Sequence, residues 1–179
     1  MKTGKLTIKG TVQKSWQKIY ETTLGSSATS VTISSLDGDT DVEYKLVTRL
    51  ISGGASNGYT LRLNNDSGTN YGFQRLVGES TTVSANQYTA RDAIYIDESL
   101  NNANDVSCSE FLIFAKSGYI RPVFRHLAGG ITGTTVTTLR GQGAVWSNTA
   151  NNLTSLVIAS LISSGLGVGS YIALYRRRA

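Results

Sequence analysis

The sequence predicts an all-β protein, a single-domain and jelly-roll-like β-sandwich of about nine to eleven strands. Three observations favour this fold. Short segments in which apolar and polar residues alternate recur along the chain. Clusters of Gly, Asn, Asp, Ser and Thr separate these segments at near-regular spacing. No segment shows the periodicity of an amphipathic helix. The length, 179 residues, fits one domain.

The strands follow from the alternation, segment by segment. They are predicted at residues 16–24, 31–33, 42–51, 59–63, 71–77, 106–115, 119–127, 134–139, 153–159 and 169–175. Residues 78–105 are the least patterned part, and we expect a long loop there with one short strand at 93–96. Pro122 predicts an edge strand or a bulge, because proline cannot donate to a sheet. Residues 1–15 are expected to form an N-terminal arm or edge strand, and residues 16–179 the sandwich.

The strongest segments also supply the candidate core. It comprises Trp16, Ile19, Leu46, Val47, Phe111, Ile113, Leu156, Ile158, Ile172 and Leu174. Because alternation points successive side chains to opposite faces, only part of this set can face one core. We expect the remainder to line a contact between subunits.

The chain is basic, with a formal net charge of +5, and its positive residues are concentrated towards the two ends. The candidate docking residues are Lys2, Lys5, Lys9, Arg176, Arg177 and Arg178. Solvated termini are one interpretation, and docking of a terminus on an acidic neighbouring surface is the other. Lysines without interleaved aromatic residues are a poor nucleic-acid footprint.

The residue types of enzymes and metal sites are scarce. The single cysteine, Cys108, cannot form an intrachain disulfide and is expected to be a packed thiol on a buried face. The only histidine, His126, is expected to be structural, and no motif supplies partners for a catalytic triad. The acidic run at residues 37–43 lacks the glycine and glutamate positions of an EF-hand, which favours an ordinary turn, although an irregular calcium site stays open. We predict no catalytic, cofactor-binding or metal-binding residues.

Aromatic residues close to Asn and Asp suggest a candidate ligand platform of the kind that binds sugars. It consists of Tyr59, Asn64, Asn65, Asp66, Asn70, Tyr71 and Trp146. The alternative is that these aromatic rings are core or cross-strand partners.

Several phrases of the chain resemble small virion structural proteins of tailed bacteriophages. They are WQKIYETTL at 16–24, SSATSVTISSLDGDTD at 26–41, LRLNNDSGTNY at 61–71, AKSGY at 115–119, WSNTA at 146–150 and the segment from 153 to 175 that ends GVGSYIALY. The resemblance spans roughly residues 16–175 and consists of turns and strands. It implies a jelly-roll-like module on the particle exterior that is oligomeric, often trimeric, and serves as capsid decoration or cement or as part of a tail or fibre.

The resulting expectation is a non-enzymatic bacteriophage virion protein that assembles as a homo-oligomer, with a trimer favoured. Its expected partners are its own copies and other virion proteins such as the major capsid or tail proteins. It is expected to need no cofactor and no membrane, and to be made in the host cytoplasm before it joins the virion. The alternative function is a carbohydrate-binding, receptor-recognition module of a phage tail or fibre, with a surface glycan as partner.

Overall fold

The computed structural model describes residues 15–55 and 57–178, apart from the side chains of residues 98 and 99. Twelve strands and one short helix, α1 (Gly38–Asp41), make up the secondary structure of this part of the chain. The strands are β1 (Gln17–Thr23), β2 (Ser30–Ile33), β3 (Glu43–Ile51), β4 (Asn57–Leu63), β5 (Tyr71–Glu79), β6 (Thr82–Arg91), β7 (Ile94–Leu100), β8 (Val106–Phe114), β9 (Arg121–Thr132), β10 (Thr135–Trp146), β11 (Leu156–Ser160) and β12 (Tyr171–Arg177).

The strands form two antiparallel sheets of unequal size. The large sheet has eight strands in the order β1-β12-β3-β8-β9-β10-β5-β6, and the small sheet has four in the order β2-β11-β4-β7. Strand β7 of the small sheet packs against β5, β8 and β9 of the large one. The all-β class and the single-domain, jelly-roll-like β-sandwich predicted from the sequence are therefore confirmed.

The hydrophobic core lies between the two sheets. Leu46, Phe111 and Ile172 enter it from the large sheet, and Leu61 and Ile158 enter it from the small sheet. Seven of the ten candidate core residues are buried, namely Leu46, Phe111, Ile113, Leu156, Ile158, Ile172 and Leu174. The other three, Trp16, Ile19 and Val47, are only half-buried.

The least patterned stretch of the sequence differs most from expectation. Residues 78–105 do not form a long loop but contain most of the β5–β6 hairpin and the whole of β7. Strand β6 is almost uniformly exposed, so its side chains show little of the apolar–polar alternation that reveals a strand. Only the part of β7 at 94–96 carries an apolar signal, which is why the sequence predicted a short strand there.

The expectation for Pro122 is also wrong. It lies in β9, a central strand between β8 and β10, rather than in an edge strand. The last pair between β8 and β9 joins Ile113 to Val123, and Pro122 is the next residue of β9 beyond that pair. Pro122 therefore sits at the second residue of its strand, beyond the last pair with β8, where a missing N–H is tolerated.

The acidic run at 37–43 forms the short helix and its flanks. Asp37 caps α1, because its carboxylate accepts from the Thr40 amide at 3.3 Å. The Asp39 carboxylate accepts from the Ser117 amide at 2.7 Å and so joins this turn to the β8–β9 loop. The buried Asp41 accepts from the Tyr44 hydroxyl at 2.9 Å. These carboxylates thus satisfy local donors, as an ordinary turn requires.

Among the residues that the structure describes, no helix is long and apolar enough to cross a membrane.

Leu156 offers a direct test of the core. It is fully buried and pairs with Ile33 on one side and Leu63 on the other, both of which are buried. We expect Leu156→Ala to lower the free energy of unfolding by about 2–5 kcal/mol, because it leaves a cavity between the sheets. Urea unfolding followed by tryptophan fluorescence measures the loss.

The matched control is Leu161→Ala at an exposed leucine, which should change stability by no more than about 0.5 kcal/mol. Equal effects at the two sites would contradict the burial of Leu156.

Candidate functional site on the outer face of the large sheet

The large sheet has one face that turns away from the small sheet, and we call it the outer face. Alternation assigns the side chains to it. In β8, Ser109 and Phe111 are buried while Glu110 is exposed, and in β9, Arg125 is buried while Phe124 and His126 are exposed. The outer face is thus formed by every second residue of neighbouring strands, as the pleat of a sheet requires.

Cross-strand register aligns these side chains in rows. One row runs from Val47 of β3 through Glu110 of β8, His126 of β9 and Gly141 of β10 to Leu76 of β5. Directly paired residues of antiparallel strands have Cβ atoms about 4.5–5.5 Å apart. The row therefore places a carboxylate, an imidazole and an apolar side chain within reach of one bound group.

Three shallow depressions lie on this face. The first, about 400 Å³, is lined by the aromatic residues Phe114, Tyr119 and Phe124 at the β8–β9 end. The rings of Phe114 and Phe124 meet edge to face with their centroids 6.4 Å apart. Aromatic rings that line a depression while remaining exposed are suited to contact an apolar surface or the face of a sugar.

The second depression, about 470 Å³, lies over β3, β8, β9 and β10. Arg49, Glu110 and His126 line it together with Cys108 and Leu139. It adjoins the aromatic depression, because Phe124 and His126 are two residues apart on the same face of β9. The expectation that Cys108 faces the interior is wrong: its neighbours Ser107 and Ser109 are buried, and Cys108 itself is half-buried on the outer face.

The third depression, about 320 Å³, lies over β5, β6 and β10 and is bounded by backbone as much as by side chains. Gly72 and Gly143 line it, with Gln74 and Gln87 at its rim. The space above Gly141 and Gly143 is open, because a Cβ built on either residue would meet no atom within 4 Å. Glycine inside a strand weakens it, and nothing in the part of the chain that the structure describes requires glycine at these two positions. We call Gly141 and Gly143 the glycine strip, and it leaves the backbone of β10 open to close approach by another molecule.

Apolar side chains stand around the glycine strip. Leu76, Phe124 and Leu139 are 61%, 52% and 65% exposed. Each lies in a central strand of the large sheet, where a small soluble domain ordinarily places polar groups on its solvent face. Contiguous exposed apolar groups of this kind mark surfaces that contact another molecule.

The sequence-based ligand platform lies elsewhere and has a different role. Tyr59, Tyr71 and Trp146 are buried, so their rings are not presented to a ligand. Tyr71 and Trp146 stack with centroids 6.5 Å apart, while the Tyr59 hydroxyl donates to the Gly165 carbonyl at 3.3 Å. Burial raises the pKa of both tyrosines above the ordinary value. These three residues are core residues, as the alternative interpretation held.

The polar members of the predicted platform fasten the β4–β5 turn. The Asp66 carboxylate accepts from Trp146 Nε1 at 2.8 Å and from Asn70 Nδ2 at 2.9 Å. Burial acts to raise the pKa of this carboxyl, but these bonds and that from the Gly68 amide outweigh it and hold the pKa below its ordinary value. Asn64 Nδ2 donates to the Asn152 carbonyl at 2.7 Å. Only Asn65, at the tip of the turn with a φ of 52°, is exposed.

The candidate docking residues divide into two groups. Lys2, Lys5 and Lys9 lie outside the described residues. At the other end of the chain, Arg176 and Arg178 contact the Asp41 carboxylate at 3.4 and 3.0 Å, and Arg177 pairs with Glu43. Much of the positive charge of the C-terminal arginines is thus offset by carboxylates of the same chain, which weakens the case for them as a docking site.

Sequence reasoning missed the outer face because the polarity of its strands is inverted. In β10, Leu139, Gly141 and Gly143 face solvent while Arg140 and Gln142 are buried. Because charged side chains are ordinarily exposed, the usual inference would place Arg140 on the solvent face. The available signal was the pair of glycines within one strand, which could have marked a close approach of another molecule.

No group of three or more His, Cys, Asp or Glu side chains able to hold a metal ion occurs within residues 15–55 and 57–178.

Comparison with known proteins gives neither a family nor an activity. No family model matches the chain, and no curated protein matches it. Among solved structures it is similar to galectin LEC-6 of Caenorhabditis elegans, with 11% sequence identity over 87% of this chain and 94% of that chain and a TM-score of 0.37. It is also similar to CG-16, a homodimeric agglutinin from chicken liver, with 10% identity over 80% and 98% of the two chains and a TM-score of 0.35. Likeness of this degree carries no argument about function.

Proposed function

We propose that the chain is a non-enzymatic structural module of a bacteriophage particle, which assembles as a homo-oligomer and attaches to neighbouring virion proteins through the outer face of its large sheet. The phage context is supported by the resemblance of residues 16–175 to virion proteins. The attachment surface is supported by a single observation, the exposure of Leu76, Phe124 and Leu139 around a glycine strip. A decoration, cement or tail-associated role needs such a surface and no catalytic group.

Attachment through this face has a mutational test. Leu76→Glu with Leu139→Glu places two charges on the apolar part of the outer face without touching the core. Purified variant and parent are incubated with gradient-purified phage particles from the source of this sequence and then sedimented together. We expect the double variant to bind at least tenfold more weakly, since burying an unpaired carboxylate in a contact is costly. The matched control is Leu161→Glu, at an exposed leucine in the loop after β11.

Two outcomes would contradict this function. Absence of the chain at a stoichiometric level from the mass spectra of the purified particles would remove the virion role. Equal co-sedimentation of the double variant, the control and the parent would remove the outer face as the attachment surface. Unchanged melting temperatures of both variants establish that the fold is intact in either case.

A carbohydrate-binding function is the second candidate, and one observation favours it. The aromatic depression of Phe114, Tyr119 and Phe124 adjoins the second depression, whose lining includes the polar side chains of Arg49, Glu110 and His126. Sugars are bound by this combination, since a ring stacks on the C–H face while polar side chains bond the hydroxyl groups.

A glycan array probed with the purified protein tests this second function. Phe124→Ala and His126→Ala should each abolish binding to any glycan retained by the parent, because they remove the stacking and the polar part of the site. Gln74→Ala, an exposed outer-face residue outside both depressions, should leave binding unchanged. No binding of the parent to any glycan would exclude this candidate and leave the structural role standing.

A further inference from the structure

Within residues 15–55 and 57–178, the edge strand β6 carries none of the protection that the other sheet edges show. An edge strand presents unpaired N–H and C=O groups, and soluble proteins protect such edges with charges, proline, short length or a cover. Residues 82–90 of β6 contain no charged residue and no proline, and β6 pairs only with β5 among the described strands. Its side chains are almost all exposed.

Each of the other terminal strands has at least one of these protective features. Strand β1 carries the Lys18–Glu21 ion pair. Strand β2 is only four residues long. Strand β7 carries Asp97, which points inward to the buried Arg140 at 3.0 Å, and it packs against β5, β8 and β9. Inward-pointing charge and a covering sheet are both known ways of protecting an edge.

The unprotected edge is regular over a defined length. A bulge at the end of β6 shifts the register with β5 between Tyr71 and Phe73, and Ala90 adopts a φ of 51° there. From Thr82 to Tyr88 the pairing with β5 is continuous. The regular edge is therefore a neutral segment of seven residues, and its central residue is Ala85.

We propose that β6 is the site at which a second copy of this chain adds its own β6, antiparallel and about a twofold axis at Ala85, to extend the large sheet across the dimer. This inference rests on the proposed self-assembly and names its contact. It replaces the trimer implied by the sequence resemblance with a twofold assembly, because an isologous contact joins the same patch of two copies.

The sequence of the edge suits a copy of itself. Pairing centred on Ala85 sets Thr82 opposite Tyr88 of the other copy and Val83 opposite its Gln87, which gives two symmetric β-branched–aromatic pairs and no like charges. Beyond the regular segment, it brings the hairpin tip that carries Glu79 towards the end of β6 that carries Arg91 in the second copy. Opposite charges thus meet at both ends of the contact.

Charge placed at the twofold axis tests the proposal. Analytical ultracentrifugation of the parent should give twice the mass of the chain. Ala85→Lys should give a monomer, since two lysines would lie side by side, and Ala85→Glu should do the same. Mixing the two variants should restore a species of dimer mass, because unlike charges then face each other. Ala85→Gln, neutral and of similar size, and Gln74→Lys, one strand further in on β5, should both stay dimeric.

Disulfide trapping gives an independent readout. In a Cys108→Ser background, Ala85→Cys should form a covalent dimer on mild oxidation, while Gln74→Cys should form none. A parent that is dimeric, together with an Ala85→Lys variant that is equally dimeric and no covalent dimer from Ala85→Cys, would overturn the edge contact and leave self-assembly intact. A parent of three times the chain mass would overturn the twofold contact. A parent that is monomeric at about 100 µM would overturn self-assembly as well.

Discussion

Replacing Arg121 with methionine should lower the free energy of unfolding by about 3–5 kcal/mol, the cost of breaking a buried charged group away from its partners. The Arg121 side chain is buried at the start of β9. Its Nε donates to the Ala115 carbonyl at 2.8 Å, and its two terminal nitrogens donate to the carbonyls of Asn148 and Asn151. One guanidinium therefore links the loop that precedes β9 to the loop that follows β10.

The surroundings of Arg121 explain why the loss is large. Its guanidinium carbon lies 4.8 Å from the centroid of the Trp146 ring, so the cation also stacks on a buried aromatic. Burial lowers the pKa of Arg121 from its ordinary value, and the nearby Asp39 carboxylate counters only part of this effect. Methionine fills similar volume but leaves the buried Ala115 carbonyl and two half-buried carbonyls without their donor, at up to about 1–3 kcal/mol each before relaxation.

Two further variants define the Arg121 prediction. Arg121→Lys keeps the charge, but an ammonium group lacks the forked geometry needed to bond all three carbonyls. Its free energy of unfolding should lie between those of the parent and the methionine variant. Arg49→Met, at an exposed arginine of β3, is the control and should change stability by no more than about 0.5 kcal/mol. Urea unfolding measures all three. A loss below 1 kcal/mol for Arg121→Met would mean that water replaces the guanidinium at these carbonyls.

The second large effect is expected at the buried ion pair of Arg140 and Asp97. Nη1 of Arg140 lies 3.0 Å from Oδ1 of Asp97, and both side chains are buried, in β10 of the large sheet and β7 of the small one. Asp97→Leu should lower the free energy of unfolding by about 3–5 kcal/mol, because it leaves the arginine charge in the interior without this carboxylate.

A double-mutant cycle separates the pair from its surroundings. The variant with both Asp97→Leu and Arg140→Met should be more stable than Asp97→Leu alone, since no isolated charge remains between the sheets. Thermal and urea unfolding of the four proteins give the coupling free energy. If the two single losses simply add in the double variant, the two side chains do not stabilise each other and the contact between the sheets depends on other residues.

Most of the fold could be predicted from alternation. Strands such as β3 and β8 have one buried face and one more exposed face, so their apolar residues recur at every second position. Strand β6 could not be found in this way, because hardly any of its side chains are buried and its sequence carries no such pattern. Its position depends on the hairpin with β5, a tertiary contact that local composition does not encode.

The candidate site could not be predicted, for a different reason. Ordinary partition rules place arginine outside and leucine inside, yet Arg75 and Arg125 are buried while Leu76 and Phe124 are exposed. The inverted residues lie in β5 and β9, in the half of the large sheet that is farther from β1. Alternation gives two faces but does not say which is inside, and tertiary packing alone decides it. The prediction of a ligand platform was wrong for a similar reason. Aromatic residues beside a polar turn more often pack in the core and hold the turn in place than face solvent.

The pairing of β1 with β12 determines how the domain would respond to force. Gln17, where β1 begins, lies opposite Arg176, close to where β12 ends, so the chain enters and leaves the large sheet at the same corner. Tension applied between these two points pulls the strands apart from that corner. Each backbone hydrogen bond is then loaded in turn rather than all together in shear. We expect the domain to open by unzipping β1 at low force and to close again when the load is released, with the rest of the sandwich intact.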